Sequence, residues 1–225
     1  MPEATARVAS IAQHDSGVRL ITLTLRSPFD FKAGQYLNVV HPSGARIPMS
    51  IASSPHRLPR LELHYRPLPG VPEAALMNEL LAAASDVSID GPHGDVCFDG
   101  PSAEDLLLIA GGSGIAQGRA IVDQLRSSGQ RHRVRLVWSV TAADQLYCDA
   151  ELRTFARWLE YISVVDVPGA ENAAVAWLRN AAPPRSGRVV VSGGPGFVYA
   201  VVDVLKAIAS PGVSIESDVF SYAPR

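Results

Sequence analysis

Residues 106–125 read LLLIAGGSGIAQGRAIVDQL: an uninterrupted apolar run, a glycine turn and an amphipathic helical pattern in direct succession. An apolar run without alternation is what a strand covered on both faces requires, and a helix that follows it at once is the crossover of a parallel sheet. Gly111, Gly112 and Gly114 let the backbone turn sharply and approach a ligand, while the first N–H groups of the helix face a phosphate. The spacing is not GxGxxG, so a tight strand-to-helix turn without a ligand stays open on this motif alone. Further along, RVVVSGGPGFVYAVVDVL (188–205) repeats the arrangement through Gly193, Gly194, Pro195 and Gly196. Two such turns at the carboxyl side of one sheet make a cleft for a dinucleotide pyrophosphate.

Working outward, VRLVWSV, YISVVDV and RVVVSG supply further buried strands, with helical stretches at 115–128, 149–158, 172–180 and 197–209. Upstream the character differs. RVASIAQ, VRLITLTLR, QYLNVV, MSIAS and LELHY are short β-prone segments separated by proline and glycine, which remove ladder donors and permit turn dihedrals. In VRLITLTLR apolar and polar residues alternate near the two-residue period of a half-buried strand. One helix, from about Pro72 to Ala84, interrupts them, with Leu76, Leu80 and Leu81 at helical spacing. The expectation is a two-domain β plus α/β chain: an antiparallel β-barrel over residues 1–100, then a parallel-sheet nucleotide-binding domain over 101–225.

The chain has 225 residues, 47% of them hydrophobic and 19% charged, which places it among folded globular proteins. A formal net charge of −2 and scattered arginines point away from nucleic acid. The opening MPEATARVAS lacks a signal-peptide core and no apolar stretch is long enough for a bilayer, so a cytoplasmic protein is expected. Cys97 and Cys148 are the two cysteines of the chain. They cannot supply the four ligands of an iron-sulfur cluster or a zinc site, and no metal is expected.

In order along the chain, FDFKAGQYLNVV, MSIASSP, LELHY, GPHGD, LLLIAGGSG, LYCDAEL, SGGPGF and SDVFSY resemble the ferredoxin-NADP reductase superfamily. Within it the likeness is to the small bacterial NAD(P)H:flavin oxidoreductases without an iron-sulfur domain. The resemblance implies that RIPMSIASS lines a flavin, through Arg46, Pro48, Met49, Ser50, Ile51, Ala52 and Ser53, with the Ser50 hydroxyl beside the flavin N5. An ordinary strand serine is the alternative. The family's arginine falls at Ile47 here and its aromatic at Met49. Arg46, one residue off, is expected to reach the flavin only if a bulge re-aims it.

His64 and Tyr65 belong to the second flavin segment. His64 is either a donor to the flavin or a satisfied barrel histidine, and His93 is expected in a loop. Asp218, Phe220 and Tyr222 match the acidic and aromatic ending. Asp218 is expected beside the nicotinamide and flavin, or else as a solvated carboxylate, and Tyr222 over the flavin face. On the nucleotide side the likeness implicates Gly111, Gly112, Ser113, Gly114, Ile115, Gln117, Gly193, Gly194, Pro195 and Phe197.

Ser139 and Thr141 stand where relatives often carry an arginine for the nucleotide phosphate. This leans the expectation toward NADH over NADPH unless Arg119 or another arginine substitutes. The family's phosphate loop after LELHYR is replaced by PLPGVPEAALM, which suits FAD, FMN or riboflavin used as a diffusing substrate. The implied activity is hydride transfer from NADH or NADPH to such a flavin, which then serves a monooxygenase or another acceptor. The alternatives are an FAD-retaining reductase component of an oxygenase and a catalytically degenerate binding module.

Overall fold

A computed structural model describes residues 3–67, 70–83, 86–155, 157–181 and 185–225. Its strands and helices run β1 (Glu3–Gln13), β2 (Arg19–Leu25), β3 (Tyr36–Val40), β4 (Arg46–Ser50), β5 (Arg60–Tyr65), α1 (Pro72–Ala83) and β6 (Asp86–His93). The second half continues β7 (Leu106–Gly111), α2 (Ile115–Ser127), β8 (Val134–Val140), α3 (Asp149–Arg153), β9 (Leu159–Val165) and α4 (Ala173–Asn180). It ends with β10 (Gly187–Ser192), α5 (Pro195–Ile208), β11 (Val213–Glu216) and α6 (Val219–Tyr222).

The first six strands form an antiparallel sheet in the order β4-β3-β6-β1-β2-β5. It curls until its two edges meet at one bridge, Ile51 to Leu63, so the expected barrel is stitched together without being fully closed. Alternation along the strands sends Ile21, Leu23, Leu37, Val39, Leu61, Leu63 and Ile89 inward. Met77, Leu80 and Leu81 of α1 pack into the same core, each fully buried side chain contributing about 1.5–3 kcal/mol.

The remaining strands form the parallel sheet β11-β10-β7-β8-β9. Leu106, Leu108 and Trp138 face one helical layer with α2, while Leu107, Ile109 and Val137 face the other with α4 and α5. This double covering is the physical reason the LLLIA run does not alternate. The helix expected over 149–158 is shorter: α3 stops at Arg153 and the chain enters turns before β9. Ala84, the expected end of α1, and Ala156 lie outside the described residues. No helix among the described residues is long and apolar enough to cross a membrane.

Polar contacts bind the two sheets' elements to each other. Arg57 donates twice to Asp123 of α2, at 2.6 and 2.9 Å, and Ser54 Oγ donates to the same carboxylate at 2.7 Å. Burial pushes the Asp123 carboxyl up, but these donors outweigh it and hold it at about 2. One turn earlier, Arg119 donates to the Ala52 carbonyl at 2.8 Å and pairs with Glu62 at 3.2 Å and Glu151 at 3.0 Å. A guanidinium this deeply buried is tolerable because carboxylates and a carbonyl surround it.

Candidate functional site

A cavity of about 790 Å³ opens between the sheets, within the range of small-molecule sites. One wall is β4, where burial alternates as exposed, buried, exposed, buried, half-buried. Ile47 and Met49 therefore pack into the core of the first sheet, whereas Arg46, Pro48 and Ser50 take the opposite face, and all of them border the cavity. The pairing of β3 with β4 runs without a register shift from Tyr36–Ser50 to Val40–Arg46. The bulge that Arg46 was expected to need is thus absent. Arg46 borders the cavity from the same face of β4 as Pro48 and Ser50.

Ile51, Ala52 and Ser53, expected at the flavin, are buried away from the cavity wall. Ile51 joins the core, the Ala52 carbonyl accepts from Arg119, and Ser53 Oγ accepts from the Glu62 amide at 3.0 Å. His64 is the satisfied histidine of the two readings offered above. Its Nδ1 lies 3.0 Å from the Tyr147 hydroxyl and its Nε2 3.1 Å from Glu62, leaving no ring nitrogen for a ligand. Burial holds its pKa below the usual histidine range despite the neighbouring Glu62 carboxylate. Tyr65 donates to the Ala74 carbonyl at 3.0 Å, tying β5 to α1.

His93 is not in a loop but ends β6, where its Nε2 lies 2.9 Å from Asn38 Nδ2 and 3.3 Å from Asp90. The Asp90 carboxylate, 6% exposed, also accepts from Arg46 Nε at 3.1 Å and Asn38 at 3.3 Å. Burial pushes this carboxyl up, but donation from Asn38, His93 and Arg46 outweighs it and leaves Asp90 below the ordinary carboxylate range.

The opposite wall brings Ser113, Gly114, Ser192, Gly193, Asp218 and Tyr222 to the same cavity. The two glycine turns touch: Ser192 Oγ donates to the Gly114 carbonyl at 3.0 Å, and a Cβ on Gly114 would stand 2.6 Å from the Ser192 carbonyl. Asp218 is not a solvated terminal carboxylate. Gln117 Nε2 donates to it at 2.7 Å and to the Gly34 carbonyl at 2.6 Å, so one amide joins α2, the first sheet's loop and the C-terminal segment. Gly94 makes room for this, since a Cβ there would lie 2.8 Å from Asp218 Oδ1. Burial raises the Asp218 pKa above the usual carboxylate range, and Gln117 partly offsets the rise.

A second cavity of about 330 Å³ adjoins, lined by Gly111, Gly112, Ser113, Ser139, Thr141, Asp166, Asn172, Gly194 and Phe197. Ile115 lies in the core and not on either wall, and Pro195 opens α5 without bordering the cavities. Arg119, the suggested substitute for a missing phosphate ligand, is spent on Glu62, Glu151 and Ala52. Arg66 borders both cavities. Sequence reasoning passed over it because it follows a strand inside an unremarkable RPLPG segment, whose Leu68 and Pro69 lie outside the described residues. Asp166, on the wall of the second cavity, caps α4 by accepting from the Ala173 amide at 2.8 Å.

Residues 108–180 match the family model described as the oxidoreductase NAD-binding domain. The NAD(P)H-flavin reductase of Vibrio harveyi is 36% identical over 76% of this chain and 73% of its own length. Among solved structures, the Amycolatopsis cytochrome P450 reductase GcoB superposes with a TM-score of 0.78 at 28% identity, over 96% of this chain and 69% of that one. Ferredoxin-NADP+ reductase from Plasmodium falciparum shares the fold with a TM-score of 0.78 at 13% identity, covering 96% of both chains.

Proposed function

The chain belongs to the NAD(P)H-flavin reductases of the ferredoxin-NADP reductase superfamily, and on that footing we propose that it passes hydride from a nicotinamide nucleotide to a loosely held flavin that leaves reduced. The observation that carries this reading is the meeting of Ser50, Ser113, Gly114 and Asp218 around one cavity. Flavin, when bound, supplies the electron-accepting ring, and NADH or NADPH the hydride. The donor set suits both: a free-facing serine hydroxyl and a strand face beneath the ring, and two glycine turns opening on helices beneath a pyrophosphate.

Ser50 would donate to the reduced ring, with Pro48 and Tyr222 bordering it and Arg46 farther along the strand. Gly111, Gly112, Ser113, Gly193 and Gly194 would hold the nucleotide, with Phe197 beside it and Arg66 near its phosphates. Asp218, fixed by Gln117, would orient the nicotinamide. The uncharged Ser139 and Thr141 and the anionic Asp166 favour NADH, because none of them attracts a 2'-phosphate. Two cysteines in the chain support chemistry without an iron-sulfur cluster, and the reduced flavin would go to a monooxygenase or other acceptor. The division at residues 100 and 101 belongs to the same proposal, supported by the two sheets lying on either side of it.

The spectrum of the purified protein and NADH oxidation with and without riboflavin, FMN and FAD test this. A colourless preparation that oxidises NADH only when flavin is added is expected. Folded protein without flavin-dependent turnover overturns the reading, and a yellow preparation with stoichiometric flavin favours a reductase component that serves a partner oxygenase.

A further inference from the structure

The charges along β4 distinguish between flavins. Arg46 and Ser50 share the cavity face and stand four residues apart, roughly 13 Å at 3.3 Å per strand residue. A flavin whose ring lies at Ser50 and whose tail follows the strand past Pro48 brings the tail's end to Arg46. The Arg46 guanidinium is not a free cation there, because its Nε already donates to the buried Asp90 at 3.1 Å. Asn38 and His93 lie within 3.3 Å of the same carboxylate, so it is held in place by three side chains and cannot swing away.

The rest of the cavity does not restore the missing positive charge. Glu73 and Asp218 border it with Arg46 and Arg66. Counting Asp90 behind Arg46, two guanidiniums face three carboxylates. A phosphate at the end of the tail would meet attraction from Arg46 and repulsion from Asp90 at nearly the same distance, whereas hydroxyls can use both members of the pair, donating to the carboxylate and accepting from the guanidinium.

We propose that Asp90, by neutralising Arg46, makes this cavity a site for the uncharged flavin, riboflavin, in preference to the phosphorylated FMN and FAD. The inference rests on the flavin-reductase reading, so binding and turnover are measured separately. Riboflavin and FMN are titrated by quenching of flavin fluorescence, and NADH oxidation is followed in parallel.

The intact protein is expected to bind riboflavin more tightly than FMN. Asp90→Asn, which keeps the side chain's size and frees Arg46, should move the FMN-to-riboflavin affinity ratio about tenfold toward FMN, the scale of one charge-assisted contact. Arg46→Ala in the otherwise intact chain leaves the Asp90 carboxylate unopposed and should move that ratio further toward riboflavin, whereas added to Asp90→Asn it should cancel the gain. The inference is overturned if the intact protein prefers FMN, if folded Asp90→Asn leaves the ratio unchanged, or if Arg46→Ala alone leaves the ratio unchanged or moves it toward FMN. The Arg46 variant changes an exposed side chain and so decides the matter even should Asp90→Asn fail to fold. Loss of turnover with the binding ratios as expected removes the reductase reading and leaves the flavin preference standing.

Discussion

The two walls of the cavity are made of different material. The wall proposed for the nucleotide is mostly backbone: two strands end, two glycine turns touch, and two helices begin. The wall proposed for the flavin is mostly side chains on one strand, and their meaning depends on which way that strand faces. A backbone site needs glycine at fixed places, whereas a side-chain site can keep its composition and change its function through a one-residue shift. This is why a likeness along the chain transfers more safely to Gly112 and Gly114 than to Arg46.

The sharpest way to break the contrast is Gly114→Ala. The added Cβ meets the Ser192 backbone at 2.6 Å, and neither partner is a flexible side chain, so the two turns must separate. Displacement of a binding turn by about 1 Å costs on the order of a hundredfold in rate. Steady-state kinetics should show that loss in kcat/KM for NADH, with flavin affinity far less affected. An equal loss on both sides would mean that the walls are not separable.

A second change severs the joint between them. The Asp123 carboxyl, held at about 2 by Arg57 and Ser54, stabilises the fold above its ordinary value of 3.8 and loses that contribution as pH falls toward 2. The difference is worth about 2 kcal/mol. Asp123→Asn should therefore be less stable by roughly that amount at pH 7 and lose less stability than the intact protein between pH 4 and pH 2, as read by denaturant unfolding.

The smallest effect tests the residue that touches both walls. Gln117→Leu removes the donor that favours ionised Asp218, so the carboxyl should titrate at still higher pH. The acidic limb of the kcat profile should move upward in pH, so that kcat falls at the acid end and is unchanged at alkaline pH. A uniform loss at every pH would point to packing alone.

The parallel sheet was legible because burial on both faces writes itself as an unbroken apolar run. β6 was missed because Asp86–His93 carries Gly-Pro inside it, a turn signal that here sits within a strand. β11 is a four-residue edge strand, too short to show a period. In β4 Ile47 and Met49 alternate with Arg46, Pro48 and Ser50, but a period of two names two faces without saying which is the core. His64 shows the same limit: Tyr147, which satisfies it, lies 83 residues away, and no local pattern announces a partner at that distance.

Arg119 sets an order of events during synthesis. The Ala52 carbonyl and the Glu62 carboxylate are made first, and their cation follows 57 residues after Glu62 in the chain. At roughly 5–20 residues per second on the ribosome, the N-terminal segment waits several seconds for the arginine that pairs with its acidic flank. That flank is the surface on which α2 must land, so the first half is completed by the second.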